Sequence, residues 1–291
     1  MINRSRAAGL LQLMRFDKPI GTLLLLWPTM VALWLAAAGV PDLKLLLIFG
    51  IGTFLTRSAG CVVNDLADRK FDGDVARTAQ RPLVTGAVTV REAIAVFIAL
   101  MLTAFALVLL TNPLTIGLSF VAVALAATYP FMKRYTHLPQ VVLGAAFSWG
   151  IPMAFAAQLG ELPPQLWLLY FGNLVWTVAY DTMYAMVDRE DDLTIGVKSS
   201  AILFGQHDVL IVGVLQATTL FIWYFMGNAF GLGLPYTVAL SIVAFMFVYQ
   251  HFLIRQRDPQ RCFAAFLHNN WVGATLFAGV AMHFILTTSP G

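Results

Sequence analysis

Two stretches without a single Asp, Glu, Lys or Arg dominate this chain: residues 93–132, 40 long, and residues 209–254, 46 long. A helix needs about 20 residues to cross a hydrocarbon core of roughly 30 Å, so each stretch is long enough for two crossings. Thr111-Asn112-Pro113 supplies a turn inside the first, and the Gly-rich segment from Gly227 to Pro235 supplies one inside the second. Composition agrees, since 59% of the 291 residues are hydrophobic, 11% are charged and the mean hydropathy is +0.77. A soluble globular surface is excluded. The expected fold class is all-α, a polytopic membrane protein.

The same reading along the rest of the chain predicts nine helices, over residues 19–38, 43–63, 91–109, 113–130, 138–157, 164–185, 207–227, 235–253 and 264–286. Of the 18 Lys and Arg residues, all but Lys44 and Arg57 fall in the N-terminal segment or in the loops after helices 2, 4, 6 and 8. Basic residues collect on the cytoplasmic side, so the N-terminus is expected in the cytoplasm and the C-terminus outside. Basic residues before the apolar Gly9–Gly39 region superficially suggest a cleaved signal peptide. Asp17-Lys18-Pro19 lies too close to the apolar start for that, and eight more helices follow. Cys61 and Cys262 are both expected near the reducing cytoplasmic face, as small buried residues rather than a disulfide. The net charge of +3 fits topology and anionic lipid headgroups, not nucleic acid. No linker or low-complexity tract divides the chain, so residues 1–291 are expected to form a single domain.

Against this background the carboxylates are conspicuous. Four of only 15 acidic residues fall in NDLADRKFDGDVARTAQRP, residues 64–82, and a second group falls in DTMYAMVDREDD, residues 181–192. Asn64, Asp68 and Asp72 are spaced by four and share one helix face; Tyr184, Asp188 and Asp192 repeat the spacing, with Asp181 seven before Asp188. Like charges at that spacing repel, and more so near a membrane. Carboxylate oxygens with an amide, and no converging His or Cys, suit a hard cation such as Mg²⁺ or Ca²⁺ rather than zinc. Mg²⁺ commonly shares its ligands between one or two carboxylates and a substrate phosphate, so two clusters point to a phosphate-bearing ligand. Asp65, Asp74, Glu190 and Asp191 lie off these stripes and are at least equally well read as solvated surface charges.

Arg77, Arg81, Lys133 and Lys198 are expected on the same side as the acids, where they would balance a bound diphosphate. Each also has a purely topological reading, because loops on that side should be basic. The histidines at 137, 207, 251, 268 and 283 show no ligand spacing. A cation-coupled transporter is the rival class, but its acids would sit near the bilayer midplane on broken helices rather than at helix ends beside basic loops.

The motifs NDLADRKFD and YAMVDREDD, with RTAQRPL, YPFMKR and GVKSSAILFG, resemble those of the UbiA superfamily of intramembrane prenyltransferases along essentially the whole chain. Within it, RFDKPIGTLLLLWPT, RSAGCVVNDLADRKFDGDVARTAQRPL and YDTMYAMVDREDD are similar to the bacterial 4-hydroxybenzoate polyprenyltransferases of ubiquinone synthesis. Ala185 departs from the pattern, standing where many members carry another aspartate, and Asp181 is one turn earlier.

The resemblance implies a nine-helix bundle around a central cavity in the bacterial inner membrane. It implies Mg²⁺ held by Asn64, Asp68, Asp72, Asp188 and Asp192, a polyprenyl diphosphate as donor, 4-hydroxybenzoate or another phenolic acid as acceptor, and membrane lipid as surroundings. Arg77, Arg81, Lys133 and Lys198 would steady the leaving group. Arg57, seven residues before Asn64 and within the bilayer, is the expected partner of the acceptor carboxylate, with Arg134 and Arg15 as competitors. Its alternative role is as partner to a structural carboxylate such as Asp181. Asp181 and Tyr184 complete the expected acceptor site, with Asp181, Asp188 and the released diphosphate as possible proton acceptors.

Overall fold

The computed structural model describes residues 4–69, 73 and 78–288. The described chain is helical: α1 (Arg4–Leu13), α2 (Ile20–Ala37), α3 (Leu43–Asp68), α4 (Val90–Val108), α5 (Pro113–Tyr135), α6 (Pro139–Ser148), α7 (Gly150–Leu159), α8 (Leu166–Val187), α9 (Arg189–Ile195), α10 (Ser200–Phe204), α11 (Asp208–Ala229), α12 (Leu234–Ile254) and α13 (Pro259–Thr288). Local chemistry sets many of the ends. Thr89 and Glu92 form a reciprocal capping box on α4, and Asn112 accepts from the Thr115 amide while Pro113 occupies the first turn of α5. Asp42 caps α3 through the Lys44 amide.

Every one of the nine predicted segments is helical. Eight stretches, with α6–α7 and α10–α11 each taken together, are long and apolar enough to cross a membrane. The chain is an integral membrane protein. The remaining segment, α8, falls outside those eight because Asn173, Asp181 and several Trp and Tyr residues dilute its hydropathy. It is also the most enclosed helix, with 14 of its 22 residues buried, and it packs on α6, α11 and α13. Its neighbours, not lipid, are its solvent.

The helices close into a ring in which α3 packs on α2 and α4, α2 on α7 and α13, α13 on α12, α12 on α11, α11 on α8, α8 on α6 and α6 on α5. Polar side chains tie this ring inside the apolar layer. Trp176 Nε1 donates to Asn269 Oδ1 at 2.8 Å, and Trp27 Nε1 donates to Asn270 Oδ1 at 2.9 Å, joining α8 and α2 to α13.

Several features differ from the sequence expectation, among them the short helices α9 and α10 in a segment expected to be a loop. The predicted helix over residues 138–157 is divided at Trp149 into α6 and α7; Pro152 has no amide to give the Ser148 carbonyl, so the ladder breaks there. The N-terminal segment forms an additional helix, α1, whose Leu13 is fully buried against Ala59, Val62, Val88, Ala93 and Leu100. Asp72, Asp74 and Arg77 lie outside the described residues.

Candidate active site

A cavity of 1380 Å³ runs through the ring. One end is polar and is built where α3 finishes and α8 gives way to α9. Asn64 and Asp68 from the last turn of α3, Asp188 from the α8–α9 junction and Asp192 from α9 all line it. The acidic stripe on the α8 side is not one continuous helix: α8 stops at Val187 and Asp188 leaves the helical region. The Asp192 amide still donates to the Asp188 carbonyl at 2.8 Å, which keeps the two aspartates about a turn apart.

The basic residues around this end divide by role. Lys133, in the last turn of α5, pairs with Asp68 Oδ2. Lys198 lines the cavity, donates through Nζ to the Tyr135 carbonyl at 3.3 Å and through its amide to the Lys133 carbonyl at 3.0 Å. Arg81 lines the cavity as well, with Nη1 3.0 Å from Asp65. Asp65 is 1% exposed and takes a two-pronged contact from Arg15 Nη2, at 2.9 and 3.0 Å. Two guanidinium groups therefore neutralise Asp65, which ties α1 and the 78–88 segment to α3. Arg134 is placed differently from its neighbour Lys133: its side chain is exposed, lies over the Phe131 ring at 5.7 Å and donates to the Ala67 carbonyl at 3.2 Å, off the cavity wall. Adjacent residues on a helix point about 100° apart, so only one of the pair can face inward.

Further in, Arg57, Tyr129, Tyr180, Asp181 and Tyr184 line the cavity. Arg57 donates to Cys61 Sγ, one turn along α3. The room it occupies comes from Gly21 on α2, where a Cβ would stand 2.5 Å from both Nε and Nη2 of Arg57. Gly21 lies within RFDKPIGTLLLLWPT, but the letters do not show that its function is a close approach between two helices. Tyr184 packs on Phe266 with its ring tilted, the centroids 4.8 Å apart and the planes at 48°.

Among the described residues, seven buried side-chain polar atoms have no hydrogen-bond partner, and four of them, Arg57 Nε, Asp68 Oδ1, Tyr180 Oη and Ser199 Oγ, belong to this cavity wall. Buried polar groups are nearly always paired, so four such atoms on one wall set it apart from the rest of the described interior. From this end the cavity continues between α4 and α5 along Met101, Phe105, Val108, Ser119, Ala122 and Ala126, an apolar groove. No His lines it, and Cys61 and Cys262 are both free and buried.

The family model for the UbiA prenyltransferase family matches residues 25–273. The chain belongs to the UbiA prenyltransferase family. Among UbiA relatives, the 4-hydroxybenzoate octaprenyltransferase of Aeromonas hydrophila is 59% identical over 285 residues, covering 98% of this chain and 99% of the relative. The protein of the same name from Pseudomonas aeruginosa PAO1 is 58% identical over 281 residues, 97% of this chain and 95% of the relative. Among solved structures, an apo UbiA homologue from Aeropyrum pernix superposes with a TM-score of 0.80 at 26% identity, covering 90% of this chain and 97% of that one. A UbiA homologue from Archaeoglobus fulgidus bound to GPP and Mg²⁺ shares the fold, with a TM-score of 0.73 at 20% identity over 95% of this chain and 99% of that one.

Proposed function

We propose that this chain is a single-domain enzyme that transfers a polyprenyl group from a polyprenyl diphosphate to the ring carbon ortho to the hydroxyl of 4-hydroxybenzoate, releasing diphosphate, in ubiquinone biosynthesis. The observation that carries this reading is the meeting of the two acidic motifs at one end of an apolar groove, in a chain nearly 60% identical over its length to 4-hydroxybenzoate octaprenyltransferases. The relatives' name favours an octaprenyl donor.

Mg²⁺ fits the residues present. Among the described residues Asp68 Oδ1 is buried without a partner, and Asn64, Asp188 and Asp192 add oxygen ligands on the same wall. No three His, Cys, Asp or Glu side chains among the described residues stand close enough together to hold a metal ion by themselves. Asn64, Asp68, Asp188 and Asp192 would hold it, with Asp72 supplied by the same motif. Bound there, Mg²⁺ supplies the positive charge that makes diphosphate a better leaving group.

The protein's own groups then divide the work. Lys133, Lys198 and Arg81 present cations to the diphosphate, with Arg77 following in the same motif. The α4–α5 groove takes the prenyl chain and keeps bulk water from the allylic cation left when the C–O bond breaks. Arg57 receives the carboxylate of the acceptor, which turns its electron-rich ring toward the cation, beside Tyr184. The ring carbon forms the new C–C bond and its proton passes to Asp181, Asp188 or the departing diphosphate. On the reading of nine crossings with a cytoplasmic N-terminus, this chemistry belongs at the cytoplasmic face of the bacterial inner membrane. The gathering of Arg15, Lys18, Arg81, Lys133 and Lys198 at the polar end supports that side.

Mass spectrometry of products made by purified protein offered mixed polyprenyl diphosphates and phenolic acids tests the proposal. A prenylated 4-hydroxybenzoate is expected; a different prenylated acid would reassign the acceptor, and no Mg²⁺-dependent product would refute the activity.

A further inference from the structure

Asp188 follows the last residue of α8, and Asp192 lies on the short helix that starts there. The helix α9 has seven residues, and none of its described side chains is buried. Helices shorter than about 12 residues are marginal in water without tertiary packing. The buried end of α8 fixes where this piece begins, and something outside the hydrophobic core must fix the course it takes from there.

A polar cluster outside the cavity does so. Asp208, the first residue of α11, is completely buried, and its Oδ1 accepts from the Val209 amide at 2.7 Å. Arg189, the residue after Asp188, reaches Asp208 Oδ2 and the Gly205 carbonyl with Nη1, each at 3.2 Å. Arg257, in the turn between α12 and α13, places Nε at 2.9 and 3.1 Å from the two Asp208 oxygens and Nη2 at 2.7 Å from the Gln206 carbonyl. The Arg257 backbone is left-handed, with φ +57°, a conformation that costs a non-glycine residue about 1 kcal/mol. The surrounding contacts hold the guanidinium across Asp208 despite that cost. The chain leaving α9 is tied to α5 by the Lys198 amide, which donates to the Lys133 carbonyl at 3.0 Å.

We infer that Arg189, Asp208 and Arg257 form a clasp that positions Asp188 and Asp192 at the diphosphate end of the cavity, a role that rests on those aspartates holding the metal. The three residues touch neither substrate nor ion. They are positioning residues, and they act by fixing the start of α9 relative to α11 and the α12–α13 turn.

Arg257→Gly is the decisive variant, because glycine accepts the left-handed backbone while the guanidinium is lost. Detergent-solubilised wild type, Arg257→Gly, Arg257→Lys and Asp188→Asn are titrated with Mn²⁺ alone, free ion being read by electron paramagnetic resonance, and Mg²⁺ activation is measured in parallel. Arg257→Gly is expected to weaken Mn²⁺ binding and raise the half-activating Mg²⁺ concentration by about tenfold, the size seen when supporting contacts behind metal ligands are removed. At saturating Mg²⁺ its KM for 4-hydroxybenzoate stays within about twofold of wild type, and Arg257→Lys recovers part of the affinity. Wild-type Mn²⁺ affinity in folded Arg257→Gly would overturn the clasp alone. Wild-type affinity in Asp188→Asn would overturn the metal-site reading on which the clasp depends.

Discussion

Lys133 sits on one oxygen of Asp68 while the other, buried Oδ1, has no partner among the described residues. The pair is half-satisfied, which is the state expected of a carboxylate that shares its charge with an arriving ligand. Asp68→Asn should therefore lower kcat/KM by about a thousandfold or more, and Lys133→Ala by about a hundredfold, in line with the loss of a group that stabilises developing charge. The double variant should cost less than the product of the two, because the residues act on the same diphosphate end. Steady-state kinetics on folded, purified variants decides this; independent, multiplying losses would separate the two residues.

Gly21 gives a way to disturb Arg57 without touching its charge. A methyl group at position 21 would fall 2.5 Å from the guanidinium, so Gly21→Ala should displace it. The expected result is a rise of about tenfold in KM for 4-hydroxybenzoate with KM for the prenyl donor little changed, and Arg57→Leu should do the same more strongly. Equal effects on both substrates would remove Arg57 from the acceptor site.

Asp65 should behave unlike Asp68 although only three residues separate them. Its contacts with Arg15 and Arg81 are internal to the protein. Asp65→Asn is expected to destabilise the fold by about 3 kcal/mol, near the low end for a broken buried pair because both arginines keep some contact with water. Thermal unfolding in detergent measures it. An unchanged melting temperature together with a lost Mg²⁺ response would place Asp65 among the metal ligands instead.

Chelation should abolish turnover, and Mg²⁺ or Mn²⁺ should restore it. Zn²⁺ should restore far less, since the cavity wall offers it no His and the donor set is oxygen. Activity that survives exhaustive chelation would mean that Lys133, Lys198 and Arg81 carry the leaving group alone.

The helices were legible in the sequence because hydrocarbon imposes a length and excludes charge, and the two charge-free runs record both constraints. The acid motifs were legible because rare carboxylates repeated at a spacing of four. Relations between helices were not. Lys133 and Arg134 are interchangeable as letters, and only the rotation of α5 sends one inward. Gly21 matters through the space it leaves on a different helix, and Asp208 is a single acid with no repeat, whose partners lie 19 and 49 residues away. The break at Trp149 was readable in principle from Pro152, but apolar content ran straight through it.

The enclosure of α8 bears on how the protein is made. Asn173 donates to Ser148 on α6, Trp176 donates to Asn269 on α13, and Tyr236 on α12 reaches back to the Trp223 carbonyl on α11 beside it. A segment this polar is a poor solitary candidate for release from the translocon into lipid, and partners on α11 to α13 are synthesised after it. Its stable integration thus waits for the C-terminal third of the chain, so ribosomes stalled just beyond α8 should leave that segment extractable by alkali, whereas those stalled beyond α13 should not.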